Sequence, residues 1–322
     1  MTGYIDIHQH AIPPRYRAAL ESVGLTEPDG FPLPAAWDVQ TTLELMGKLR
    51  IDAAVLSIST PGVHLGGGVD TVALAQHVND DMSQICIDDP SRFGFVASLP
   101  LPGVDAALAE IERASHLFGC DGYSLLTHVD GVYLGDDKLE PLMRELNDRK
   151  AIAMMHPTTP AEFEVTALNR PRPMMEFLFD TTRAVSNLLL NGVFQRYPDI
   201  TWIIPHTGSA IPSLAARWQL FTFGAVPTRE PNLDIIAELK RQWWDTAGAA
   251  LPYSLPALIQ LVGTEHLVYG SDYPFTPSFG VELLTAAVDE YPIVEGTSTR
   301  ELLGGNAAAL FPRLASLIET PM

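Results

Sequence analysis

Four histidines and one aspartate lie where apolar runs of the chain end, and their side chains could bind a metal ion. His8 and His10 are two positions apart, with Gln9 between them, so in a strand both imidazoles point to the same side. His156 and His206 each follow a later apolar run, and Asp272 follows the last one. Three neutral imidazoles and a carboxylate would bind Zn2+, Mn2+ or a similar divalent ion and leave a position open for water or substrate. A buried histidine pair is often only hydrogen-bonded, but the five positions together favour a metal site.

The elements that must position these side chains are eight short apolar runs alternating with helical patterns. We predict strands over Tyr4–Ile7, Ala53–Ile58, Phe93–Leu99, Tyr123–Leu126, Ala151–Met155, Thr201–Ile204, Gln242–Trp244 and Leu267–Tyr269. Eight alternations favour an α/β fold of the (β/α)8 TIM-barrel type over a doubly wound sheet, which usually has about five or six strands. We therefore expect one barrel domain over residues 1–322, with closing helices after Thr299 that Pro312 interrupts.

Stretches rich in proline and glycine mark the connections after four of the predicted strands. They span Pro28–Pro34, Pro61–Gly68, Pro157–Pro173 and Pro274–Pro277. In a barrel these would be long βα loops at the C-terminal rim, where barrel enzymes form their active sites. Asp245 follows the seventh predicted strand, where it could hydrogen-bond either a metal-binding residue or only other polar groups at the barrel rim. Asp180 precedes Thr181 and Thr182, which favours an N-cap.

Composition restricts the classes of partner. Of 322 residues, 47% are hydrophobic and 18% are charged, which indicates a globular protein with a large core. The formal net charge of −19 argues against nucleic acids and anionic membrane surfaces as partners. Two cysteines, Cys86 and Cys120, do not form a disulfide framework, and no leader-like segment precedes Tyr4, so we expect a cytoplasmic protein.

The sequence resembles the amidohydrolase superfamily, in its amidohydrolase 2 branch of aminocarboxymuconate semialdehyde decarboxylase and aromatic acid decarboxylases. The motifs that carry the resemblance are His8-Gln9-His10, Met155-His156-Pro157, Pro205-His206-Thr207-Gly208 and Gly270-Ser271-Asp272-Tyr273-Pro274-Phe275. Within that branch, 125–127, 133–136 and 179–183 are similar to members near 6-methylsalicylate decarboxylase. The loop 30–36 contains no arginine, unlike relatives of the semialdehyde decarboxylase, which argues against a semialdehyde substrate.

The resemblance implies a role for each site residue. His8, His10, His156 and Asp272 would bind one divalent ion, Zn2+ or Mn2+, and His206 would act in proton transfer; whether His206 or Asp272 delivers the proton stays open. Arg217 would reach the substrate carboxylate in the neighbouring subunit of a homodimer or of a dimer-based tetramer.

The implied activity is nonoxidative decarboxylation of a small aromatic or related unsaturated carboxylic acid of hydroxybenzoate type. The same site would also serve the alternative, a metal-dependent hydrolase of a lactone, amide or similar bond, because a metal-bound water can attack such a bond.

Overall fold

Eight parallel strands form the centre of the molecule. The computed structural model describes residues 3–34, 36–224 and 226–319. The strands are β1 (Tyr4–His10), β2 (Ile51–Ser57), β3 (Phe93–Ser98), β4 (Cys120–Leu126), β5 (His128–Val129), β6 (Val132–Tyr133), β7 (Ile152–His156), β8 (Thr201–Ile204), β9 (Trp243–Asp245) and β10 (Leu267–Val268). The main sheet has the order β1-β2-β3-β4-β7-β8-β9-β10, and β5 and β6 form a separate antiparallel pair.

Backbone hydrogen bonds close the sheet between its first and last strands. The amide of Ile7 donates to the carbonyl of Tyr269 at 3.0 Å, and that of His10 donates to the carbonyl of Tyr273 at 2.7 Å. In return, the amide of Asp272 donates to the carbonyl of His8 at 2.8 Å. The predicted TIM barrel is therefore confirmed, and its closure places Asp272 directly beside the end of β1.

Helices surround the barrel and alternate with its strands. They are α1 (Pro14–Ser22), α2 (Val39–Leu49), α3 (Thr71–Asp88), α4 (Val104–Ala114), α5 (Glu140–Asp148), α6 (Phe163–Thr166), α7 (Glu176–Leu190), α8 (Val193–Arg196), α9 (Ile211–Thr222), α10 (Ile235–Lys240), α11 (Ser254–Val262), α12 (Ser278–Glu290), α13 (Thr299–Leu310) and α14 (Pro312–Glu319). Within the described residues, no helix combines the length and apolarity needed to cross a membrane.

The barrel interior is a separate hydrophobic core. Side chains from six of the strands fill it, namely Ile5, Ile7, Ala53, Val55, Val96, Met154, Ile203 and Val268. Ala307 and Phe311, from and just after α13, and Leu314 of α14 belong to the same cluster. The closing helices thus cap one end of the barrel, as the sequence predicts, and Pro312 begins α14 after the break. The strand-end histidines lie at the opposite end.

One predicted helix start is wrong. The prediction places Asp180 at an N-cap before Thr181, but α7 begins at Glu176 and Asp180 lies fully buried inside it. The helical apolar pattern extends back to Phe177, which is buried on the same helix. The Asp180 carboxylate instead accepts hydrogen bonds from the side chains of Thr127 and Tyr133, and so ties α7 to the rim after β4.

Candidate metal centre

Three strand ends bring one cluster of possible metal ligands together. His8 and His10 lie at the end of β1, His156 is the last residue of β7, and Asp272 follows β10. One nitrogen or oxygen atom from each of these four residues lies within 4.8 Å of the others. The four are the residues that the sequence resemblance assigns to the metal. The three histidines are buried, because parallel strands converge at the barrel mouth.

Hydrogen bonds determine which nitrogen of His8 and of His156 carries the proton. His8 Nδ1 lies 2.7 Å from Asp245 Oδ2, and His156 Nδ1 lies 2.7 Å from the carbonyl oxygen of Pro157. Both partners only accept, so in the neutral rings each Nδ1 carries the hydrogen and each Nε2 keeps a free lone pair. Metal-binding histidines characteristically hydrogen-bond in this way through their second nitrogen.

Ser57 determines which nitrogen of His10 carries the proton. The Ser57 hydroxyl donates to the carbonyl of Gln9 at 3.4 Å and lies 2.9 Å from His10 Nδ1, from which it can accept. His10 Nε2 then also faces the cluster with a free lone pair. All three imidazoles are therefore oriented for binding through Nε2.

The spacing of the free atoms fits one bound ion. His8 Nε2 lies 3.1 Å from His10 Nε2, and Asp272 Oδ1 lies 3.2 Å from His10 Nε2 and 3.7 Å from His8 Nε2. Ligands about 2.1 Å from a tetrahedral ion are about 3.4 Å apart, close to these values. Lone pairs at such distances repel one another unless a proton or a metal ion lies between them. The donor set therefore fits a divalent cation.

Burial and charge set the protonation of the cluster. Burial lowers the pKa of His10 and of His156, which keeps both rings neutral at pH 7. Burial acts in the same direction on His8, but the charge of Asp245 and the hydrogen bond to it raise the pKa of His8 to about 8. Burial alone would raise the pKa of Asp272, yet contact with His10 and the charges of nearby histidines lower it. Asp272 is thus anionic, as a metal-binding carboxylate must be.

His206 lies beside this cluster in a different setting. It follows β8, and its Nε2 is 4.0 Å from Asp272 Oδ2. Its backbone amide donates to Asp245 Oδ1 at 2.8 Å, so one carboxylate fixes both His8 and the backbone of His206. Burial, with the charge of His8, lowers the pKa of His206, which is neutral at pH 7. His206 Nδ1 is buried without a partner among the described residues.

A cavity of about 360 Å³ opens onto these residues. His156, His206 and Asp272 line one part of it, and the rest is largely apolar, with walls from Pro28, Phe31, Pro173, Met174, Phe177, Leu178 and Phe275. Its volume is near the lower end of the range of about 300–1,000 Å³ for small-molecule sites. In the described chain, neither a lysine nor an arginine lines it. The cavity therefore suits a small ring-shaped ligand.

Arg217 does not reach this cavity. It lies exposed on α9, with its guanidinium 5.0 Å from the centre of the Phe221 ring. Within its own chain it therefore cannot contact a ligand at the cluster. His128, at the end of the fourth predicted strand, is also outside the cavity lining and hydrogen-bonds the carbonyl of Thr159 at 3.2 Å.

Two residues that support the site through hydrogen bonds, Ser57 and Asp6, are not among those predicted from the sequence. Ser57 orients His10, and Asp6 accepts hydrogen bonds from the backbone amide of Ser271 at 3.0 Å and from Gln9 Nε2 at 3.0 Å. Burial raises the pKa of Asp6 to about 6. By tying β1 to the residue before Asp272, Asp6 helps to position that ligand. Asp6 has a sequence signal, since an acidic residue two positions before a buried histidine is unusual in a buried strand.

The chain is similar to known proteins in both sequence and fold. A family model described as amidohydrolase matches residues 5–313. The 6-methylsalicylic acid decarboxylase of Penicillium expansum is 31% identical over 320 residues, which are 98% of each chain. A crystal structure described as an amidohydrolase II superposes with a TM-score of 0.89 at 33% identity and covers 96% of this chain and 99% of that one.

A further solved structure is similar in fold alone. It is a dihydroxybenzoic acid decarboxylase from a Polaromonas species, solved with bound manganese and the inhibitor 2-nitroresorcinol. The TM-score is 0.80 at 20% identity, with 97% of each chain covered.

Proposed function

We propose that this chain, which belongs to the amidohydrolase family, is a metal-dependent, nonoxidative decarboxylase of a small aromatic carboxylic acid of hydroxybenzoate type. The observation that carries the proposal is the convergence of three oriented imidazole nitrogens and Asp272 on one point at the wall of a largely apolar cavity. A relative that matches nearly the whole chain is named as a decarboxylase of an aromatic acid, which favours this carboxy-lyase activity over hydrolysis.

One divalent ion, Zn2+ or Mn2+, would be bound by His8, His10, His156 and Asp272. When bound, it would supply Lewis-acid stabilisation of negative charge on the substrate oxygens. The neutral rings of His10 and His156 favour this role, because their Nε2 lone pairs are not protonated at pH 7.

The residues of this chain would orient the acid and move one proton. The apolar walls would hold the ring with its carboxyl group toward the cluster and exclude water. A proton then has to reach the ring carbon that carries the carboxyl group, after which the C–C bond breaks, its electron pair returns to the ring and CO2 leaves. We propose that His206 and Asp272, 4.0 Å apart, relay that proton. Because His206 is neutral and Asp272 is anionic at pH 7 in the free protein, the relayed proton would first be taken up from the substrate or from water as the acid binds.

Recognition of the substrate carboxylate would be completed by a second subunit. Arg217 lies outside the cavity of its own chain, so we propose a homodimer, or a tetramer built from such dimers, in which Arg217 enters the neighbouring site. Residues 1–322 would then act as one barrel domain per subunit. A cytoplasmic location stays a prediction, to which the free cysteines Cys86 and Cys120 lend support.

A substrate screen tests the activity. The protein, loaded with Zn2+ or Mn2+, is incubated with a panel of hydroxybenzoates and, separately, with aryl lactones and amides. The proposed function predicts release of CO2 from at least one hydroxybenzoate, together with the corresponding phenol. Release of acid from a lactone or amide without CO2 from any benzoate would instead favour the hydrolase.

A further inference from the structure

Ser209 adopts a backbone conformation that glycine normally occupies. Its φ is 56° and its ψ is −128°, the geometry of the first central residue of a type II′ turn. An L-amino acid with a β-carbon is strained there, and such strain tends to persist at functional sites. Ser209 directly follows the left-handed residues His206, Thr207 and Gly208.

No contact within the described fold accounts for a serine hydroxyl at position 209. Its Oγ is buried and has no hydrogen-bond partner among residues 3–34, 36–224 and 226–319. The backbone amide of Ser209 is satisfied by the carbonyl of His206 at 2.9 Å, so only the hydroxyl is left over. An unpaired buried hydroxyl costs free energy, and glycine would avoid both that cost and the strain. A ligand that hydrogen-bonds the hydroxyl would account for serine at this position.

Ser209 lies at the wall where the proposed substrate would bind, and its covered hydroxyl would turn toward a ligand by rotation about the Cα–Cβ bond. Ser209 lines the same cavity as His206 and Asp272. Two other hydroxyl groups on the wall are already engaged: Thr60 with Thr158 at 2.9 Å, and Thr207 with the carbonyl of Ala247 at 3.4 Å. Ser59, Ser254 and Thr276 also line the cavity, but in the described part of the chain Ser209 is the one lining residue whose hydroxyl is both buried and unpaired. Because neither lysine nor arginine from the described chain lines the cavity, an anionic carboxylate must rely in part on neutral donors.

We propose that Ser209 is a substrate-binding residue whose hydroxyl donates a hydrogen bond to a carboxylate oxygen of the aromatic acid. The inference rests on the proposed function, since it requires an aromatic carboxylate in the cavity. Ser209 would thus add to carboxylate recognition from within the chain. It would act independently of Arg217, which lies outside the cavity.

The experiment compares Ser209→Ala, which keeps the strained β-carbon, with Ser209→Gly, which removes it. Calorimetry of the metal-loaded proteins measures binding of 2-hydroxybenzoate and of phenol, which lacks the carboxylate. Both variants should bind 2-hydroxybenzoate about 10-fold to 100-fold more weakly, as expected for a lost hydrogen bond to a charged group, and should bind phenol as the wild type does. KM should rise for an acid that is turned over. Ser115→Ala, at an exposed serine that follows α4, is the matched control and should change the affinity for neither ligand.

Thermal unfolding separates binding from a structural role. Ser209→Gly should melt at the same temperature as the wild type or higher, because relief of the strain opposes the entropy cost of glycine. Wild-type affinity for 2-hydroxybenzoate in both variants would overturn the inference. A changed pH profile of kcat with unchanged KM would also overturn it, since Ser209 would then act through His206. Wild-type protein that releases no CO2 from any acid contradicts the proposed function whatever the variants do, and wild-type protein that binds no hydroxybenzoate overturns both.

Discussion

At the scale of single residues, the centre depends on which imidazole nitrogen carries a hydrogen. Asp245, Ser57 and the carbonyl of Pro157 each take one Nδ1 and leave Nε2 of His8, His10 and His156 directed at a common point. The two neutral tautomers of histidine, protonated at Nδ1 or at Nε2, differ little in free energy, so these hydrogen-bond partners determine which one forms. They orient three buried histidines so that each could bind a metal ion through Nε2.

Removal of one ligand should empty the centre. His156→Ala removes an imidazole that, among the described residues, hydrogen-bonds only the adjacent carbonyl of Pro157, so the fold should be retained. Metal content, measured by elemental analysis of purified protein, should fall from one ion per chain to a small fraction of that value. Full occupancy in this variant, with an unchanged circular dichroism spectrum, would remove His156 from the ligand set.

His206 should behave differently from the ligands. His206→Gln leaves the four-residue cluster intact, so the metal content should stay at the wild-type value. Turnover should fall by about 100-fold to 10,000-fold, the usual effect of losing a general acid or base. Elemental analysis and initial rates on the same sample check both expectations. A metal-free His206→Gln protein would mean that His206 is itself a ligand.

The sequence identifies the four residues of the candidate metal cluster more readily than the residues that support them. His8, His10, His156 and Asp272 can be found because each lies at a strand end, which local hydrophobic pattern locates. Ser209 could not be found this way, since its left-handed backbone depends on packing around the turn after β8 and not on its neighbours in sequence.

At the scale of elements, the parallel strands act as a common frame. β1, β7, β8 and β9 all end at one rim, so residues far apart in sequence meet there without any long excursion of the chain. Asp245 at the end of β9 links two of these strands, because it contacts both the His8 ring and the backbone amide of His206. The prediction that Asp245 could hydrogen-bond a metal ligand agrees with the position of its carboxylate.

Loss of the Asp245 charge should weaken the centre without emptying it. Asp245→Asn keeps the size of the side chain but removes the anion that fixes the His8 tautomer. Metal affinity, measured by competition with a chelator of known affinity, should fall about 10-fold to 100-fold. Asp234→Asn, the same change at the N-cap of α10, is the control and should leave metal affinity unchanged. Equal affinities in the two variants would refute the role of Asp245.

The sequence also predicts the order and approximate position of all eight barrel strands. The run Thr201–Ile204, for example, coincides with β8. The start of α7 is mispredicted, because the loop after β7 already contains helical turns and the pattern alone does not separate them from α7. Boundaries of this kind are set by tertiary contacts, here the buried hydrogen bonds of Asp180.

At the scale of the whole molecule, the acidic protein must bind an anion. The formal net charge is −19, and no lysine or arginine of the described chain lines the cavity. Attraction would therefore be local, and in the proposed function it comes from the bound metal ion and from Arg217 of a second subunit. Exposed apolar residues on and beside α9, Leu220 at 67% and Phe223 at 78% exposure, flank the helix that carries Arg217 and would be covered in a dimer.

Subunit mixing should reveal a shared active site. Arg217→Ala and His206→Ala homodimers should each be nearly inactive, because every site in them lacks one residue. After the two proteins are unfolded together and reassociate at random, half of the dimers are mixed and each has one intact site, so about a quarter of wild-type activity should return. A mixture that stays inactive although mixed dimers form would mean that Arg217 does not act across the interface.

The central claim is that one bound metal ion enables the release of CO2 from an aromatic acid. The most direct test titrates metal-free protein with Zn2+ or Mn2+ and records CO2 release from a hydroxybenzoate together with the metal bound. The rate should rise in proportion to bound metal, saturate at one ion per chain and return to the background rate when a chelator is added. CO2 release that is independent of bound metal, or a metal-loaded protein that releases acid from lactones or amides and no CO2 from any benzoate, would contradict the account.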